Sequence, residues 1–159
     1  MLIYGHNGIT APIGNIVPNE WLVRWIGQRL GIADFGPCVT IGFVRHGKLQ
    51  AVVLYNKYLY PNIEGSLASI APSWCTREAL HAIFSYPFLQ LNCKRMTATT
   101  EATNQRTRAF LCRLGFKQEG YHPDALPTGD AVTYGLLRAD AARWLAEESH
   151  VQTVTPAAA

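Results

Sequence analysis

Glu64 and the loop at 72–77 are the residues whose types and spacing suit chemistry. Glu64 lies in IEGSLASIA, residues 63–71, an apolar run that reads as a strand. A carboxylate set inside an apolar sheet holds its proton more tightly than one in water, which suits a base working near neutrality. The plain alternative is a solvated side chain at the strand's start, beside Pro61-Asn62. The strand then passes into Pro72-Ser73-Trp74-Cys75-Thr76-Arg77, and a helix follows from about Thr76. A strand-to-helix junction gathers backbone N–H groups at the positive end of a helix dipole, a setting for phosphate. Ser73 and Thr76 add hydroxyls, and Arg77 adds charge. No glycine eases the approach of the backbone to an anion here. The plain alternative is a helix capped by Ser73 or Thr76, with Arg77 solvated.

Other reactive side chains do not assemble. The cysteines are Cys38, Cys75, Cys93 and Cys112, with no CxxC spacing, so they read as buried or half-buried thiols without metal. His6, His46, His81 and His150 have no constellation around them, and no Ser-His-Asp order or P-loop is present.

These residues need a scaffold. The 159 residues, 48% of them hydrophobic, suit one domain, expected over 1–147 with a tail at 148–159. No apolar run approaches a membrane span, and MLIYGHNGIT lacks the pattern of a signal peptide, so a cytoplasmic location is expected. A net charge of +3 is far from the signature of a dedicated nucleic-acid binder. MLIYG reads as a short strand. Trp21, Leu22, Trp25, Ile26 and Leu30 share one face of a helix from Asn19 to Leu30, stopped by Gly31. CVTIGFVR and KLQAVVLYN, residues 38–45 and 48–56, form a hairpin. Ala79, Leu80, Ile83, Phe84, Phe88 and Leu91 mark a helix that Pro87 must kink or split. Residues 94–100, 116–121 and 131–137 read as strands, the last two joined by a Pro/Gly/Asp loop, and a short helix is expected at about 139–147. This order predicts an α+β fold, a mixed and mostly antiparallel sheet with helices on both faces.

The most informative stretch is NQRTRAFLCRLGFKQEG, residues 104–120. Asn104 is a good N-cap, Ala109, Phe110 and Leu114 make an apolar stripe, Gly115 suits a left-handed C-terminal position, and Phe116 folds back onto the helix. The order Asn, apolar helix, Leu-Gly-Phe, Glu-Gly resembles the C-terminal motif of the GNAT acetyltransferases, and the element order agrees over roughly residues 18–147. The Gly-Phe-x-x-Glu-Gly ending is similar to the branch that acetylates ribosomal proteins and spermidine.

The resemblance implies acetyl-CoA as co-substrate and direct attack of an amine on its thioester. It implies Glu64 as general base. It implies cofactor contacts from Ser69, Ile70, Ala71, Trp74, Cys75, Thr76, Arg77, Asn104 and Phe110. Trp25, Tyr58, Tyr60 and Tyr121 become candidate acceptor contacts, with Trp21 and His122 nearby, although each tryptophan also fits core packing. Leu111 stands where many relatives carry a tyrosine that protonates the leaving thiolate. Arg106, Arg108 and Arg113 read as a solvated face from which one arginine can reach the 3′-phosphate. The acceptor would be a small-molecule or protein amine, and exposed strand edges would allow a homodimer. Two other readings stay open: a non-catalytic CoA- or ligand-binding module on this scaffold, and an enzyme that modifies nucleic-acid bases.

Overall fold

The computed structural model describes residues 1–146. The expected tail at 148–159, and residue 147, lie outside the described residues. Seven strands form one sheet in the order β1-β2-β3-β4-β5-β7-β6. They are β1 (Leu2–Asn7), β2 (Cys38–Arg45), β3 (Lys48–Leu59), β4 (Asn62–Ser69), β5 (Arg95–Glu101), β6 (Lys117–Leu126) and β7 (Gly129–Leu137). Neighbours are antiparallel except β4 and β5, which run parallel. The helices are α1 (Asn19–Leu30), α2 (Arg77–Ser85), α3 (Gln105–Leu114) and α4 (Ala142–Leu145).

Alternation along the strands divides the core. Val39, Ile41 and Phe43 of β2, Ala51, Val53 and Tyr55 of β3, and Ile63 of β4 share one face with Leu80, Ile83, Phe84, Leu111 and Leu114 of α2 and α3. On the other face, Leu22 and Ile26 of α1 pack against Val52, Leu54 and Ala68. That stripe is narrower than the sequence suggests. Trp21 is 68% exposed and Leu30 is partly exposed, because the face they occupy turns away from the sheet.

Pro87 does split its helix. α2 stops at Ser85, and Tyr86–Gln90 continues as one wide π turn closed by the Leu91 amide on Tyr86 O at 3.0 Å. The last hairpin differs from expectation. No long loop joins its strands. β6 runs on to Leu126, taking Pro123 into an edge strand, where a missing N–H is tolerated. Register shifts between Gln118 and Gly120 and between His122 and Leu126 absorb the irregularity, and Asp130 Oδ1 accepts the Asp124 amide at 2.9 Å.

Helix α3 is capped at both ends. Asn104 Oδ1 accepts the Thr107 amide at 3.0 Å. At the other end the Gly115 amide bonds Cys112 O at 3.1 Å and the Phe116 amide bonds Leu111 O at 3.0 Å, with Gly115 at φ 104°. This is the paired-bond closure that favours glycine. Ala109 is exposed, so the buried stripe is Leu111 and Leu114. Cys112 is exposed as well, a correction to the expectation of four buried or half-buried thiols.

Candidate active site

The parallel pair does not stay together. β4 and β5 are in register at Asn62↔Arg95, Ile63↔Met96 and Glu64↔Thr97, and the ladder stops there. β4 nevertheless continues to Ser69, paired only with β3, and β5 continues to Glu101, paired only with β7. The sheet is therefore forked at its centre. Leu67, in mid-strand, is only half-buried because its β5 neighbour is gone. Backbone groups along the inner edges of the fork are left to bond something else.

Local packing sets the apex. A Cβ on Gly65 would overlap the Met96 methyl, so the absent side chain lets Met96 lie against β4 there. Both arms then lead into helices, β4 into α2 and β5 into α3, so two helix N-termini stand at the open mouth. Both are side-chain capped: Thr76 Oγ1 accepts the Ala79 amide at 3.1 Å, as Asn104 does for α3. The N-terminus of each helix carries partial positive charge.

Glu64 is the last residue of β4 that pairs with β5, at the apex, so it does not sit at the strand's solvated start. The structure does not isolate it in apolar surroundings either. Lys57 Nζ lies 2.9 Å from Glu64 Oε2, and Glu64 is 30% exposed. From the apex to Ile70 the strand spans about 20 Å at its usual rise. Its face here is the one that α1 covers, and among the described residues α1 packs on β1–β4. The β5–β7–β6 part carries polar groups. Arg95 donates from Nε to Asn62 Oδ1 at 3.2 Å and from Nη2 to Glu119 Oε2, above Gly135, where a side chain would collide with Glu119. Thr97 Oγ1 donates to Asn62 Oδ1 at 2.8 Å.

The loop at 72–77 is built differently from a phosphate cradle. Pro72–Trp74 is a 3-10 turn, in which the Cys75 amide bonds Pro72 O at 3.1 Å and the Thr76 amide bonds Trp74 O at 2.9 Å. Those two donors are used within the turn. Trp74 is 6% exposed and packs between Phe43 and Phe110, with ring centroids 5.3 and 6.2 Å away, so its indole belongs to the core. Arg77 donates to Arg143 O at 3.2 Å, toward α4. Glu78 adds a negative charge in the first turn of α2. Thr76, not Ser73, is the cap. Ser73 is exposed, and its carbonyl accepts from Arg45 at 3.1 Å. Ser69 and Ile70 are exposed at the open end of β4, and Ala71 is half-buried. Burial pushes the Cys75 thiol up, with Arg113 close enough to oppose it.

The acceptor candidates are dispersed. Trp25 lies under the Arg29 guanidinium, 3.5 Å from ring centroid to Cζ, and packs on the α1 core. Tyr58 stands near enough to Tyr86 for their charges to interact, on the side of the π turn. Tyr60 is exposed at the β3–β4 turn. Tyr121 bonds Asp130, an exposed pair in which that hydrogen bond pushes the phenol up and the carboxyl down. Leu111 is buried in the core, so no acid is offered from its position. Arg108 is not on a solvated face: it donates to Tyr134 Oη at 3.0 Å, Ala102 O at 2.9 Å and Gln118 Oε1 at 3.1 Å. Sequence reasoning missed Lys57 and Met96. Only Lys57 left a signal, a lysine seven residues before the candidate base across a hairpin.

No family model matches the chain, and no curated protein matches it. Solved structures do. An acetyltransferase of T. thermophilus is 21% identical, with TM-score 0.59 over 84% of this chain and 76% of that one. A GNAT-family acetyltransferase from Bacillus anthracis is 18% identical, with TM-score 0.52 over 72% and 71%. A spermidine N-acetyltransferase chimera from Vibrio cholerae is 15% identical, with TM-score 0.61 over 82% and 97%. The forked sheet of this chain is the GNAT acetyltransferase fold.

Proposed function

We propose that the chain is an acetyl-CoA-dependent N-acetyltransferase that acts by direct attack of an amine on the thioester. One observation carries the reading: a fork between parallel strands with a carboxylate at its apex and two helix N-termini at its mouth. The inner edge of Gly65–Ser69 suits an extended arm bearing amides, because its N–H and C=O groups lack a strand partner on that side among the described residues. The first turn of α2, the α3 cap and Arg113 are the groups left to meet the diphosphate. Glu64 takes the proton of the incoming amine. The thiolate leaves without a dedicated side-chain acid, since Leu111 supplies none. The spermidine enzyme among the structural neighbours makes polyamines the first acceptors to try.

The test is a thermal-shift titration with acetyl-CoA, followed by turnover on a panel of amines. A ligand that binds only the folded chain raises its stability with the logarithm of concentration. A melting temperature that does not move on adding acetyl-CoA in large excess overturns the proposal.

A second reading, a non-catalytic ligand-binding module, draws on the 3-10 turn that uses the Cys75 and Thr76 amides and on Glu78 beside them. Stabilisation by acetyl-CoA with no turnover on any amine decides for it.

A further inference from the structure

Lys57 places a primary amine 2.9 Å from the carboxylate at the apex of the fork. It follows Asn56, the cross-strand partner of Glu64, and it adopts a left-handed backbone conformation at φ 48°. The β3–β4 register shifts between Asn56 and Leu59, so Lys57 falls within the irregular stretch and its ammonium returns to the Glu64 carboxylate at 2.9 Å. The lysine side chain is 68% exposed and the glutamate 30% exposed. An ion pair this wet contributes little to stability, so the fold does not depend on it. The side chain is free to pivot on its four-carbon stem about the apex of the fork.

The chain has four lysines, Lys48, Lys57, Lys94 and Lys117. Lys117 pairs with Asp140 at 3.4 Å, beside the end of β7. Lys57 is the one that meets the apex carboxylate. We infer that Lys57 is a site of self-acetylation: its Nζ accepts the acetyl group from an acetyl thioester held in the fork. This inference rests on the reading of the fork as an acetyl-CoA site. Glu64 takes one proton from the ammonium. The freed lone pair of Nζ attacks the thioester carbonyl carbon, a C–N bond forms, and the C–S bond breaks. The second Nζ proton passes to the departing thiolate, giving a free thiol and a neutral amide, with no change of oxidation state. Once Glu64 has passed its proton to solvent, its carboxylate no longer faces the charge that paired with it and is open to an external amine.

The experiment incubates the full chain with acetyl-CoA alone and maps acetylation by peptide mass spectrometry. The expected result is one acetyl group on Lys57, with Lys48, Lys94 and Lys117 serving as internal controls for chemical acylation. The rate per molecule should not change on diluting the protein, because the amine and the base belong to one chain. Glu64→Gln should slow it by about a hundredfold, the ordinary scale for a lost general base. Glu64→Asp, which keeps a carboxylate, should restore part of that loss. Lys57→Arg should leave no modified species. Equal labelling of all four lysines, or labelling indifferent to Glu64→Gln, overturns the inference. A chain that acetyl-CoA stabilises but that leaves Lys57 unmodified overturns it while sparing the acetyl-CoA reading. A chain that acetyl-CoA does not stabilise overturns both.

Discussion

Trp74 and Phe110 meet edge to face, with ring centroids 6.2 Å apart and an interplanar angle of 74°, joining the loop after β4 to the helix after β5. The two arms of the fork diverge in their backbones and are tied again by this side-chain contact. Trp74 also leans on Phe43 at 5.3 Å, so the tie is anchored in β2. Here the tryptophan stabilises the strand-to-helix loop by core burial, in place of the glycines that let other backbones wrap a phosphate.

The first prediction concerns that tie. Phe110 is half-buried, so Phe110→Ala should cost less than the ~3–5 kcal/mol of a fully buried phenylalanine, about 1–2 kcal/mol in urea denaturation. A double-mutant cycle with Trp74→Ala should show coupling of about 0.5–1.5 kcal/mol. Phe110→Ala should also weaken acetyl-CoA binding. Phe88→Ala, a fully buried change in the π turn, should cost more stability and spare the affinity of the folded fraction. If both variants bind equally, the aromatic tie has no part in shaping the fork.

A second prediction separates the two roles of Asn104. Its Oδ1 caps α3 through Thr107 at 3.0 Å. Asn104→Ala should cost about 1 kcal/mol, the usual scale for a lost N-cap. Asn104→Asp keeps the accepting oxygen and adds a favourable charge at the helix N-terminus, so stability should hold. It also removes the amide N–H donors and sets an anion at the mouth. Acetyl-CoA affinity should therefore fall in the aspartate variant without loss of stability. Unchanged affinity would reduce Asn104 to a cap.

The third prediction concerns the apex. Gly65→Ala forces the Met96 methyl aside. Methionine adapts readily, so the cost should stay near the low end of overpacking, about 1 kcal/mol. The space at the apex would be altered more than the fold. Turnover or acetyl-CoA affinity should drop while the melting temperature moves little. The companion Gly65→Ala/Met96→Ala should recover function by removing the collision.

The fold was legible in the sequence wherever periodicity was strong. Asn104, Gly115 and Phe116 fall at the cap and closure expected of them, and Pro87 splits its helix, because local backbone rules decide such positions. The hairpin of β6 and β7 was less legible, since Pro123 and the polar run around it look like a loop until an edge strand accepts them. The site was legible only in outline. Glu64 could be named as a candidate, but its ion pair with Lys57 depends on a register shift, and pairing registers are tertiary facts. Trp74 and Arg77 looked available at a junction, yet one is drawn into the core and the other toward α4. Composition cannot report which way a loop residue turns.

The last prediction uses the buried phenols. Tyr55 donates to Ile83 O at 2.6 Å, and Tyr86 donates to Thr10 O at 2.6 Å, tying the loop after β1 to the π turn. Burial pushes both hydroxyls above the ordinary tyrosine range, and neighbouring ionisable groups add to the shift. The folded state therefore holds these protons more tightly than the unfolded chain does. Their contribution to stability is fully present below the unfolded value of about 10 and is lost as pH rises through the folded values. Urea denaturation at increasing pH should show stability falling above that point, with tyrosinate absorbance of the buried pair appearing only as the chain unfolds. Tyr86→Phe should remove part of this alkaline sensitivity, at a cost near neutrality of about 1 kcal/mol for the lost hydrogen bond to Thr10. Native protein in which every tyrosine ionises in the ordinary range would contradict the burial of both rings and the strap they hold.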